Sequence, residues 1–313
     1  MPRDISRVLR AFAAQPWFID PRQAEKIVAV LMMRAQHLPR DPSFQRWAGP
    51  DAAADGDQPP ASARRQNIKV LTLQGLIAPR ATMVDDISGP PAVSLERFAR
   101  EFDLAAQDRS VGAIVLNIDS PGGQVDLVPE TAARIRAAHD PSRPIIAVAN
   151  TLAASAAYWI ATAADELVVT ESGEVGSVGV WSMHEDVSVA LAQEGVSVTL
   201  ISEGPRKVEG NPFEPLGADA RAHLQETTRH YYDMFVRDVA AFRGVDQSVV
   251  RADPNKSDKH FGGGRTYPAR VAVKLGMADR VESLDSVLRS LQTGRRPIRN
   301  RRAEMYRRRL ALI

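Results

Sequence analysis

The chain has 313 residues, 44% of them hydrophobic and 25% charged, with a formal net charge of +2. That is enough for one large domain with appendages, or for two domains. No apolar run approaches the ~18 residues of a membrane span. The N-terminal Met1–Arg7 is not followed by an uninterrupted apolar core, which argues against a secretory signal. Cysteine is absent, excluding disulfides, thiol catalysis and cysteine-ligated metals and fitting a cytoplasmic protein.

In chain order, residues 1–50 read as a helical N-terminal extension. Asp20-Pro21 is a start signal, and Ile27, Val28, Leu31 and Met32 supply an apolar face. Residues 51–67, rich in Ala, Asp, Gly and Pro, read as a linker. The main domain, 68–285, opens on a mostly apolar strand over 68–77. A helix is expected over 93–106, a buried strand over 111–118 and a helix over 128–138. A further strand over 144–149 runs into a helix beginning near Ser155. Strands over 166–170, 179–181 and 196–201 and a helix over 187–193 follow. Helices over 218–242, 247–250, 268–275 and 281–291 complete the globular part. Alternating buried strands and helices predict an α/β domain with largely parallel sheets. Residues 286–313 form a C-terminal helix and an arginine-rich tail.

Three places could carry chemistry. The first is Thr151-Leu-Ala-Ala-Ser155-Ala-Ala-Tyr158, where one hydroxyl stands among alanines at a strand-to-helix junction. Ser155 is there either an N-cap or a nucleophile beside free backbone N–H groups. The second is Asp119-Ser-Pro-Gly-Gly123 at the carboxyl end of a strand, either a plain turn or a backbone cradle for an anion. In open α/β sheets ligands gather beyond the strands' carboxyl ends.

A serine nucleophile needs a base. Six histidines are present (37, 139, 184, 223, 230 and 260), none in a recognisable partner motif, although His184 follows a strand. Lysine is the alternative, because burial and neighbours can lower its pKa from ~10.4 until the neutral amine accepts a proton. Lys207 lies in a loop stiffened by Gly204, Pro205, Gly210 and Pro212. It reads either as a solvated surface residue or as that base. The third place, Val175-Gly-Ser177-Val-Gly179, is a tight turn whose serine could orient a neutral lysine.

Taken in order, these segments resemble the signal peptide peptidase A-type serine peptidases, most closely the phage branch of lambda-type capsid assembly (prohead) proteases. The resemblance rests on Ile118-Asp-Ser-Pro-Gly-Gly123, Ala153-Ala-Ser155-Ala-Ala-Tyr158-Trp159, Gly176-Ser177-Val-Gly179 and Lys207-Val-Glu-Gly-Asn-Pro-Phe213. A late segment, Gly264 to Asp279, adds to it. It implies a Clp-protease/crotonase-like superhelix of ββα units and a catalytic dyad of Ser155 and Lys207, the lysine 52 residues downstream. It also implies Ser177 as the lysine-orienting residue, and an oxyanion hole from the N–H groups of Gly122, Gly123 and Ala156. No metal or cofactor is implied.

The expected function is a serine endopeptidase processing scaffold, portal or capsid proteins in phage head maturation, acting as a homo-oligomer. Its place would be the host cytoplasm or procapsid interior, with no membrane association. The alternatives are a soluble bacterial peptidase that degrades signal peptides, a crotonase-like acyl-CoA enzyme, and an inactive structural head protein. The tail, with eight arginines against Glu304, reads as a solvated segment or as a patch docking acidic surfaces. Specific nucleic-acid recognition is poorly supported, because Tyr306 is the tail's lone aromatic.

Overall fold

The computed structural model describes residues 17–19, 67–80 and 92–293. The helical reading of 1–50, the linker and the arginine-rich tail lie outside these residues, apart from the short strand β1 (Trp17–Ile19). A seven-stranded, largely parallel sheet carries the molecule. Its backbone is β2 (Asn67–Gln74), β5 (Val111–Ser120) and β7 (Ile145–Ala154), paired parallel in the order β2-β5-β7. β8 (Glu166–Val169) pairs with the first half of β7, and β9 (Glu174–Gly176) with its last three residues. β10 (Thr266–Pro268) adds to β9 antiparallel, and β11 (Arg280–Val281) adds to β8 parallel.

The central strands read as nearly continuous apolar runs because both faces are covered. In β5, Ile114, Leu116 and Ile118 enter the main core, while Ala113 and Val115 enter a second one. β7 repeats this, with Ile145, Ala147 and Ala149 on one face and Ile146 and Val148 on the other. That is the period-two alternation of a strand.

The first two long strands, β2 and β5, are each followed by short strand structure in a second sheet and then by a helix. β3 (Ile77–Ala78), β4 (Val93–Ser94) and α1 (Leu95–Gln107) follow β2, and β6 (Gly122–Gln124) and α2 (Val128–Ala137) follow β5. After β7 the chain passes directly into α3 (Ala156–Thr162). The small sheet has the order β1-β6-β3-β4. This repeated ββα unit is the arrangement expected of the Clp-protease/crotonase type.

The later helices are α4 (Ser188–Gln193), α5 (Ala218–Arg243), α6 (Gln247–Arg251), α7 (Ala269–Leu275) and α8 (Leu284–Gln292). α5 ends at Gly244, which takes the left-handed conformation (φ 66) of a C-terminal cap. Only its C-terminal half is sunk in the core, through Phe235, Val236, Val239 and Ala240. α8 buries Val287 and Leu291 against the second core, so the folded body runs through Gln292.

Two expected strands do not form. Residues 179–181 and 196–201 have strand-like patterns but no strand, and Val196, Val198, Leu200 and Ile201 are exposed. A strand exists only where a neighbour takes its backbone hydrogen bonds along its length; over 179–181 only Trp181 forms a bridge, and 196–201 pairs with no strand among the described residues.

Candidate active site

Ser155 is the first residue beyond β7 and lies in the left-handed region, at φ 53 and ψ −116. A non-glycine residue there costs on the order of 1–3 kcal/mol, which the surroundings must impose. The constraint is visible. Ser155 N donates to Gly176 O at 2.8 Å, Trp159 N donates to Ser155 O at 3.0 Å, and the flanking alanines and aromatics are fully buried. Ser155 is itself only 1% exposed, and its side chain makes no cap hydrogen bond to α3. The capping reading is therefore not realised. The hydroxyl instead turns toward Gly179 O, at 3.4 Å.

α3 is held by its aromatic residues. Tyr158 Oη donates to Met277 O at 2.9 Å, and burial pushes its phenol well above the ordinary range, so it remains a neutral donor. Trp159 donates through Nε1 to Asp238 at 3.2 Å and stacks on Phe235 at a 4.8 Å centroid separation. Beneath lies a buried fork in which Arg243 binds both Asp279 carboxylate oxygens at 2.9 Å and donates to Gly276 O. Burial disfavours the Arg243 charge, but the carboxylate outweighs it, and the guanidinium is held above its usual value. Asp279 also accepts from Leu167 N at 2.7 Å, tying α5 to β8.

The two glycines after β5 have different roles. A Cβ on Gly123 would lie 1.9 Å from Ile77 O, so only glycine allows β6 to approach β3 so closely. Gly122, at φ 100, donates its N–H to Ser120 Oγ at 3.1 Å. In the single chain that N–H is engaged within its own turn. Ala156, the first residue of α3, has an N–H with no possible partner inside its own helix. Opposite β3, β6 pairs antiparallel with β1, Phe18 facing Gly123.

Ser177 comes to the same place by way of the sheet. β9 runs beside the end of β7, Ala154 facing Gly176, and Ser177 follows at φ 56 and 3% exposed. Its N–H donates to Arg265 O at 2.8 Å.

Lys207 is not brought there. It occupies an exposed turn, its backbone N–H donating to Gly204 O at 3.1 Å. Among the described residues its amine makes no hydrogen bond or ion pair, with Ser155 or any other group. The apolar shelter expected for it is not found within one chain. Its loop is nonetheless anchored on both sides. Arg206 pairs with Asp219 at 2.9 Å, Val187 N donates to Pro212 O at 2.8 Å, and His184 Nε2 bonds Asn211 O at 2.9 Å. His184 is thus engaged with this loop rather than with the serine.

Beside Ser177 opens a cavity of about 440 Å³ between residues 177–181 and α5. Its helical wall is Gln225, Thr228, Arg229 and Tyr232, none of which the sequence singled out. Their spacing places them on one helix face, but nothing in the linear order links that face to Ser155. Among the described residues no three His, Asp or Glu side chains converge as a metal site would require. Nor is any described helix long and apolar enough to cross a membrane.

Comparison with known proteins places this geometry in context. Peptidase family S49 matches residues 137–296. Capsid assembly protease C of Escherichia phage lambda is 32% identical over 241 residues, covering 75% of this chain and 52% of that protein. Head-tail preconnector protein GP5 of Enterobacteria phage P21 is 30% identical over 260 residues, covering 80% and 51%. The chain thus spans about half the length of these relatives. A membrane protease specific for a stomatin homolog from Pyrococcus horikoshii aligns at a TM-score of 0.41 and 16% identity, covering 72% of this chain and 78% of that one.

Proposed function

The chain belongs to peptidase family S49, and from that premise we propose that it is a serine endopeptidase using Ser155 and Lys207 to process proteins of a phage head during assembly. The single observation that carries the reading is Ser155 itself. It is a buried hydroxyl held in a left-handed conformation at the carboxyl end of the central strand, serving no cap. The capsid role takes its support from the lambda and P21 relatives, and the substrate class from what their names say of them.

In the proposed chemistry the neutral amine of Lys207 takes the Ser155 proton as Oγ attacks the scissile carbonyl. The oxyanion is met by the N–H groups of Gly123 and Ala156. The ammonium then returns the proton to the departing amine, leaving an acyl-serine. Water, deprotonated by the same lysine, attacks that ester and frees Ser155. Ser177 orients the amine. The N–H groups of Val178, Gly179 and Val180 donate to no other described group, which suits them to pair with an extended peptide.

An amine acts as a base near neutral pH only when water is kept from it. Lys207 is exposed in the single chain, on the same segment as the exposed Val189, Val196, Val198, Leu200 and Ile201. We read this segment as the surface that a second copy of the chain covers, completing the dyad by assembly. Co-expression with the scaffold and capsid proteins of the same gene cluster, followed by mass spectrometry of the products, tests the reading. Wild type should cut at defined bonds and Ser155→Ala at none. Identical fragments from both would refute it.

A further inference from the structure

The cavity beside Ser177 is positioned to select substrates, and we infer that it receives an acidic side chain of the substrate held by Arg229. The inference rests on the endopeptidase reading above and goes beyond it by naming a residue preference and the group that reads it. The connection to the reacting atoms is direct. The cavity is bounded by residues 177–181, and within that run Gly179 O lies 3.4 Å from Ser155 Oγ. A peptide pairing with this backbone would place alternate side chains toward α5.

Gly179 and Gly264 line the cavity. A Cβ on Gly179 would contact the Gly264 Cα at 3.6 Å, and one on Gly264 would meet nothing within 4 Å, the space it would enter being empty. The opposite wall is a rigid helix face, and Thr228 Oγ1 bonds Ser182 Oγ at 2.8 Å across the cleft, fixing its width. Tyr232 closes one end, covered in turn by the Arg251 guanidinium 5.1 Å above its ring.

The charge of the lining decides the ligand. Arg229 is the one charged residue among those that bound the cavity, and no acid lines it. Other arginines of this region are matched: Arg237 with Asp238, Arg243 with Asp279 and Arg251 with Asp233. Arg229 has no carboxylate partner among the described residues. A lone guanidinium beside Gln225 is a receptor for a carboxylate, which it can bind through two parallel hydrogen bonds. A lysine or arginine side chain placed there would meet a like charge with no acid to relieve it.

Peptides identical except for Glu, Gln or Lys at each position near the cleaved bond provide the test, with wild type, Arg229→Gln, Arg229→Glu and Ser155→Ala compared. At one position wild type should prefer Glu over Gln by about two- to fivefold in kcat/KM, a charge-assisted contact weakened by the exposure of Arg229. The preference should shrink as salt is raised. Arg229→Gln should remove it, and Arg229→Glu should reverse it toward Lys at the same position, an outcome that a structural role for Arg229 would not produce. Cleavage that depends on Ser155 but shows no acidic preference, or one that Arg229→Glu leaves unreversed, overturns the inference and spares the endopeptidase reading. Cleavage undiminished in Ser155→Ala overturns that reading itself.

Discussion

Ser155 is one of three non-glycine residues at positive φ among the described residues, with Leu127 and Ser177, and its effect on stability separates from its effect on catalysis. Its φ of 53 is reached at no steric cost only by glycine. Ser155→Gly and Ser155→Ala should both be inactive, yet the glycine variant should be the more stable, by about 1 kcal/mol. Urea denaturation midpoints check this, and equal midpoints would mean that the position is unstrained. Gly123→Ala should be costly in stability and activity together, because its Cβ collides with backbone that has nowhere to move.

Charge at single residues sets the pH dependence. Burial raises the pKa of Glu166 above 4.5, against the opposing pull of Arg280, so its protonated form is the one the fold favours. Its contribution is complete below the unfolded value and fades as pH rises through the folded one. Glu166→Gln should therefore gain on wild type as pH rises above the ordinary glutamate range, measured as the difference in denaturation midpoints. Asp246 behaves oppositely. Hydrogen bonds from the Ser248 side chain and N–H lower its pKa below 3.8, so its contribution is present above that value and lost as acid is added.

At the scale of elements, the helix that follows Ser155 is held by its aromatic contacts with chain far downstream and lies over a buried ion pair. Phe235→Ala removes the stacking partner of Trp159 from a fully buried site and should cost about 3–5 kcal/mol. Asp279→Ala leaves Arg243 charged and unpaired in the core and should cost a similar ~3–5 kcal/mol, whereas replacing both with apolar residues should cost less. Thermal denaturation of the two singles and the double distinguishes these cases.

Most elements were legible in the sequence. β5 and the start of β7 stand out as apolar β-branched runs, and α5 ends where a glycine follows it. The ranges expected for 218–242 and 268–275 match α5 and α7 closely. The short strands were not legible. β6 is three residues of Gly-Gly-Gln whose strand character comes wholly from β1 and β3 beside it. The turns at Ser155 and Ser177 stood out in the sequence, but the ladder that brings them together is non-local. The engaged N–H of Gly122 and the cavity wall on α5 depend on side-chain positions that no linear pattern reveals.

At the scale of the whole molecule, a single chain does not bring the two residues of the proposed dyad together. Ser155 and Ser177 lie in the folded body, whereas Lys207 lies on an exposed segment carrying five exposed aliphatic residues. Ile201, 95% exposed, is the most conspicuous of these. Ile201→Asp should leave the secondary structure intact, shift the protein toward monomer in light scattering and lower turnover with it. A monomeric variant with full turnover would show that one chain suffices.

Turnover of one cleavable peptide by wild type, Ser155→Ala and Lys207→Ala, at a concentration where the wild type is assembled, addresses the pairing of these two residues most directly. Each variant should lose at least about a thousandfold in kcat while keeping the wild-type circular dichroism and assembly state. A folded, assembled Lys207→Ala protein that turns over like wild type would contradict the dyad.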